Sequence, residues 1–203
     1  MDDDMTLLEL FAIYTKYFFI LTPFFIIAVF LAVTEMETVQ VRHKLAVRVT
    51  LGIVCISIVL FLFGQSIFSL FGITIDAFRL GAGALLFLSS VDLVQGKMQV
   101  PAAKRSIMDL AVVPLAIPVT IGPGAVGALF VMGGEIHGLE AQMLAITAIA
   151  AAGVSVGVLL YLSEQIKRMI GRSGISMLSK VTGLILSALS CQMMFEGIAA
   201  FLK

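Results

Sequence analysis

Val113-Pro114-Leu115-Ala116-Ile117-Pro118-Val119-Thr120-Ile121-Gly122-Pro123-Gly124 sets three prolines and two glycines inside an apolar run long enough to cross a membrane. About 100 positions earlier, Leu21-Thr22-Pro23-Phe24 sets a proline at the matching place in the first apolar run. Proline in a helix interior removes a hydrogen bond and clashes with the preceding turn. Each run therefore reads as two half-helices. Thr22 and Gly122 fall at N-cap positions and Pro23 and Pro123 at first helical positions, with Pro118-Val119-Thr120-Ile121 unwound.

Outward from these breaks the two halves of the chain correspond. At an offset of 100, Ala28 meets Ala128, Phe30 meets Phe130, Glu35 meets Glu135, Leu60 meets Leu160 and Gln65 meets Gln165. Towards the end of each half the offset reads as slipping by one, so that Arg79 meets Lys180 and Gly96 meets Gly197.

The composition fixes the class. Hydrophobic residues make up 60% and charged residues 13% of 203, and the mean hydropathy is +1.11. Soluble domains carry about 25% charged residues. Since ~20 residues cross a ~30 Å hydrocarbon core, six stretches reach spanning length: 8–33, 45–66, 73–95, 108–133, 141–163 and 178–202. All are long enough to be helical, and the period-2 alternation of a barrel is absent. The expectation is an all-α membrane protein of a single transmembrane domain, residues 1–203, with repeat one at about 1–97 and repeat two at about 105–203. The start, Met1-Asp2-Asp3-Asp4-Met5, is acidic where a signal peptide is basic, so the first run reads as a retained helix. A net formal charge of zero offers nothing to nucleic acid. Cys55 and Cys191 lie inside predicted helices and read as small packing residues.

The loop charges orient the chain. Arg42, Lys44 and Arg48 follow the first span, Lys97, Lys104 and Arg105 the third, and Lys167, Arg168 and Arg172 the fifth. The loop after the fourth span, around Gly133-Gly134-Glu135-Ile136-His137, has no Lys or Arg, and the second loop has only Arg79. Basic loops mark the cytoplasmic side, which puts both termini outside. Three spans per repeat is an odd number, so the two copies lie upside-down relative to each other. The exchange of basic and non-basic loops between the copies agrees with this. The architecture expected is two inverted three-helix repeats with helices 1 and 4 discontinuous, as in inverted-repeat transporters.

In lipid, free backbone groups survive only where they line a cavity or are covered by protein. The inverted arrangement brings both second half-helices to the midplane N-terminus first, with N–H groups and partial positive charge facing inward. Thr22, Pro23, Phe24 and Phe25 from one break and Thr120, Gly122, Pro123, Gly124 and Ala125 from the other form the candidate substrate-binding set. Donors for a carboxylate and carbonyls for an ammonium group suit a small zwitterion. Gly124 is expected to let that carboxylate approach the backbone, and Gly127, one turn on, to matter less. The alternative is that the prolines only kink and shape the bundle.

The segment from Val113 to Ala125 resembles the signature of the MarC family of integral membrane proteins, the six-helix neutral amino acid transporter family, which carries P-L-A-x-P-x-x-x-G-P-G there. Phe71-Gly72-Ile73-Thr74-Ile75-Asp76-Ala77-Phe78-Arg79-Leu80 is similar to the family's F-G-I-S-I-x-x-F/L-R-I, and Gly171-Arg172-Ser173-Gly174-Ile175 and Gly183-Leu184-Ile185-Leu186 fit as well. At the first break the family usually reads N-P-x-G, where this chain has Thr22-Pro23-Phe24-Phe25; Lys180 stands where arginine is usual. The resemblance implies a secondary transporter of small neutral amino acids such as alanine and glycine in the cell inner membrane. Its candidate coupling ions are H⁺ and Na⁺.

Two other classes stay open. One is a channel or packing-only membrane component. The other is an intramembrane hydrolase, since Gly153-Val154-Ser155-Val156-Gly157 fits G-x-S-x-G. That motif needs a strand–turn–helix elbow and a histidine, whereas this segment lies within a span and reads better as a G-x-x-x-G packing face. Asp76 and Arg79, three apart, are placed to pair. No catalytic, metal or nucleotide constellation is visible, and neither an enzyme activity nor a cofactor is expected.

Overall fold

Hydropathy alone sets no helix ends; caps and breakers do. The computed structural model describes residues 2–97 and 121–202. Pro114, Pro118, Thr120, Lys104 and Arg105, and with them the first half of the fourth apolar run, lie outside the described residues. The described elements are α1 (Asp2–Ile20), α2 (Pro23–Val33), α3 (Val39–Phe71), α4 (Ile75–Gln95), α5 (Pro123–Glu135), α6 (Leu139–Tyr161) and α7 (Ser163–Phe201). There is no strand among the described residues. Four of these helices are long and apolar enough to cross a membrane. A fifth crossing results if α1 and α2, bent by 41° at the Thr22–Pro23 break, count as one span.

The first break stands where the proline put it. The second half-helix, α5, likewise opens on Gly122 as N-cap with Pro123 after it. Two elements depart from expectation. The second span is longer than the apolar stretch 45–66, because Thr38 caps its start, accepting from Val41 N at 3.4 Å, and Gly72 ends it in the left-handed region at φ 61°. The last helix starts well before residue 178. A polar first part, from Ser163, runs into Gly171, whose backbone (φ 69°, ψ 175°) breaks the helix before the apolar part resumes. Both left-handed positions suit glycine, which has no Cβ to clash.

α4 packs on α5 and α7, α3 on α5 and α6, α1 on α6, and α2 on α7 and α6. Small residues make the close approaches. A β-carbon added at Gly83 would stand 3.0 Å from the Ser190 carbonyl oxygen and 2.7 Å from Met194 Cγ. One added at Gly183 would stand 3.1 Å from the Ser90 carbonyl oxygen and 2.8 Å from Val94 Cγ2. Here Gly83 and Gly183, Ser90 and Ser190, and Val94 and Met194 all keep the offset of 100. The one-residue slip read from sequence is therefore not the register of this contact. In one of the two pairs that suggested it, Arg79 is held in an ion-pair cluster and Lys180 is exposed.

Gly153 and Gly157 set α6 against α3: added β-carbons would meet Val54 Cγ2 at 2.8 Å and the Thr50 side chain. This is the packing face expected of G-x-x-x-G. Outward, Phe63, Leu88, Leu184 and Phe195 are exposed. So large an apolar surface fits contact with lipid rather than water.

Candidate functional site

The site begins where α1 ends. Leu21 N–H donates to the Tyr17 carbonyl and Thr22 N–H to that of Phe19, both at 3.0 Å, and the chain then turns. Thr22 turns it in the left-handed region (φ 49°, ψ 59°), with no hydrogen bond from its side chain to the helix it precedes. It is the one non-glycine residue with positive φ among those described. The N-cap position is thus as expected, but the cap is made by backbone shape rather than by the hydroxyl. A β-branched residue held there stores strain on the order of 1–3 kcal/mol. Asparagine enters this region readily. Thr22→Asn is expected to raise stability by about 1 kcal/mol, or ~2–4 °C in a detergent melting curve for a chain of this size. An unchanged or lowered melting temperature would mean that the turn is not strained.

In α2 the helical ladder begins with Ile26 N–H to the Thr22 carbonyl, at 3.1 Å. In α5 it begins with Val126 N–H to the Gly122 carbonyl, at 3.0 Å. The N–H groups of Phe24 and Phe25, and of Gly124 and Ala125, precede those bonds and belong to the first turns that carry a helix's positive end. Leu21, Phe25, Ile121 and Ala125 are buried in one core, with Phe24 half-buried against it. The first break and the start of α5 therefore border one continuous core.

Polar groups enter that interior from α1. Tyr17 is fully buried, and its hydroxyl shares a 2.5 Å hydrogen bond with Ser57 Oγ of α3, which in turn donates to the Ile53 carbonyl at 2.6 Å. One turn earlier, Tyr14 donates to Ser155 Oγ of α6 at 3.0 Å. Sequence reading passed over these tyrosines, because aromatics at helical spacing in an apolar run look like core. Ser155, the centre of G-x-S-x-G, lies in mid-helix as acceptor to Tyr14, and His43 stacks on Tyr161 at 3.9 Å.

Gly124 does not present an open wall. A β-carbon there would stand 2.8 Å from Leu86 Cα of α4, and one at Gly127 would land on Ala82 of the same helix. Both glycines let α5 approach α4. Gly127→Leu, expected from the sequence to be the milder change, is therefore expected to disturb packing as Gly124→Leu does.

Ion pairs close both ends of the core. Glu135, at the end of α5, meets Arg79 of α4 (Nε to Oε1, 2.6 Å), and Arg79 also donates to Asp76 at 2.7 Å. Glu35, just beyond α2, pairs with Arg172 of α7. Near it, buried Arg42 donates to Glu164 at 2.6 Å and to the Thr34 carbonyl at 3.0 Å. Gln142, at the position matching Arg42, donates to the Ile136 carbonyl at 3.4 Å. The Asp76–Arg79 pair was legible from its spacing. The pairs to Glu35 and Glu135 were not, although the same acid at both matched positions was the available signal.

Residues 7–202 match the family described as MarC family integral membrane protein. A UPF0056 membrane protein of Methanocaldococcus jannaschii is 33% identical over 191 residues, 91% of this chain and 93% of that one. One of Pyrococcus abyssi is 30% identical over 198 residues, 96% of each chain. The UPF0056 membrane protein YhcE of Escherichia coli is 29% identical over 199 residues, 93% of each. These names state a membrane location and no substrate. No solved structure matches the chain.

Proposed function

The chain belongs to the MarC family of integral membrane proteins, and we propose that it is a secondary transporter of small neutral amino acids, of the alanine and glycine class, working by alternating access. The observation that carries the reading is the buried break at Thr22–Pro23, matched by the Gly122–Pro123 start of α5 in the same core. Discontinuous helices whose N-terminal ends point into one interior are where transporters bind the carboxylate of a small substrate. The site is Thr22, Pro23, Phe24 and Phe25 with Thr120, Gly122, Pro123, Gly124 and Ala125. Tyr17 and Ser57 brace the first break.

The proposed frame is six spans in two inverted three-helix repeats. Its support is the way contacts exchange between positions 100 apart: Gly83 on Ser190 with Gly183 on Ser90, and α4 on α5 with α7 on α2. With the basic loops inside, both termini lie outside the inner membrane. The proposal is a transporter and not an enzyme. A hydrolase at Ser155 would need a base, and this serine sits in mid-helix with Tyr14 as its partner.

Labelled alanine and glycine are expected to enter proteoliposomes saturably, and stereoselectively for alanine. Imposed H⁺ and Na⁺ gradients then identify the coupling ion. Non-saturable flux would indicate a channel, and no flux of either amino acid would leave a packing role. Single cysteines in the loops around Arg42 and Arg168 are expected to resist impermeant labelling in intact cells.

A further inference from the structure

We propose that the cavity between α2 and α7, lined on one side by the Glu35–Arg172 ion pair, is a binding site for a small neutral amino acid as a zwitterion at one mouth of the protein. The inference rests on the transport reading and gives the substrate a place outside the two helix breaks. The cavity measures about 210 Å³ and is lined by Ala28, Leu31, Ala32, Glu35, Arg172 and Ile175. A water molecule's share of liquid volume is about 30 Å³, so there is room for a solute of several heavy atoms but not for a large one.

The lining contains both halves of the chemistry that recognises an α-amino acid. The Arg172 guanidinium matches a carboxylate in a two-bond fork. The Glu35 carboxylate accepts from an ammonium group. The remaining wall, Ala28, Leu31, Ala32 and Ile175, is alkyl and suits a short apolar side chain. The ion pair has no net charge, so a zwitterion inserted between its members leaves neither unpaired, whereas a simple cation or anion would strand one.

The exchange is easy at this mouth. Arg172 is 69% and Glu35 51% exposed, and an exposed ion pair is weak. The opposite mouth is built to stay shut. Arg79 is only 22% exposed and meets Glu135 and Asp76 together. The place matching the cavity, around Ile75 and Val131, is a packed cluster with Ala82, Phe78 and Met193. Phe78 stacks edge-on to Phe68 at 5.1 Å between centroids.

The test is equilibrium binding of radiolabelled alanine and glycine to the purified full-length protein, alongside uptake into proteoliposomes. Glu35→Gln and Arg172→Gln are each expected to weaken binding at least tenfold. Ala28→Leu, which fills the cavity and leaves the ion pair in place, should do the same. The charge-exchanged double variant, Glu35→Arg with Arg172→Glu, should recover binding to within a few-fold, which a merely misfolded single variant would not predict. Unaltered binding in the single variants, or no recovery in the double, overturns the site while wild-type uptake stands. A folded wild type that neither binds nor takes up alanine or glycine overturns the transport reading, and the site with it.

Discussion

Gly183→Leu and Gly83→Leu are each expected to leave little folded protein, whereas Gly81→Leu is expected to be tolerated. α4 and α7 cross at Gly83 and Gly183, where even a single added carbon would sit 2.7–3.1 Å from the partner helix, against backbone carbonyl oxygen as well as side chain. A flexible neighbour could swing away; a carbonyl inside a helix cannot. The helices must separate, and the two contacts lie at the same interface, so parting them at one loosens the other. In lipid the loss is not offset by a hydrophobic drive between helices, since association there rests on close packing. The cost is expected to exceed the ~1–3 kcal/mol typical of overpacking. A β-carbon at Gly81 meets nothing within 4 Å, and replacing a helical glycine there gains up to about 1 kcal/mol of propensity. Yield of monodisperse protein after detergent extraction, and its melting temperature, separate the three. Monodisperse Gly183→Leu protein with a wild-type melting temperature would show that this interface does not hold the fold.

The features that sequence made visible are those with a local cause. Pro23 and Pro123 break or start a helix wherever they stand, and both do so here. α4, bounded by Thr74 and Gly96, falls within two residues of the apolar stretch 73–95. Where the cause is tertiary, the reading ran short. α3 extends past its apolar window because polar residues such as Arg42 stay helical while pairing with Glu164, 122 positions away. Glu35 finds Arg172 across 137 positions, which no spacing rule reaches. The left-handed backbone of Thr22 carries no composition signal, since threonine usually caps with its hydroxyl. At the candidate site, the first break and the start of α5 were legible as places. The packing of Gly124 on Leu86, and of Tyr17 on Ser57, had to come from the fold.

Phe25→Gly has the next largest expected effect, and it acts on stability and selectivity together. The ring lies at the start of α2, 9% exposed and inside the main core. It therefore faces protein and not lipid. Removing it leaves a void whose lining loses its dispersion contacts, and core Phe→Ala changes cost about 3–5 kcal/mol. Glycine adds up to about 1 kcal/mol of helix cost, less in a first turn. Phe25→Leu, which keeps most of the volume, should recover most of the stability. The family pattern that this stretch resembles has glycine at this place; here the ring occupies core space. In the protein that remains folded, the vacated space adjoins the first turn, whose N–H groups are proposed to meet the substrate carboxylate. Acceptance is expected to widen from glycine and alanine towards serine and threonine. Methylene-sized differences in room are worth roughly 1–3 kcal/mol of discrimination, so the shift should be tens-fold rather than absolute. Competition of labelled alanine uptake by unlabelled serine and threonine measures it. A destabilised Phe25→Gly variant with an unchanged competition profile would make the ring a core residue and place the substrate's side chain elsewhere.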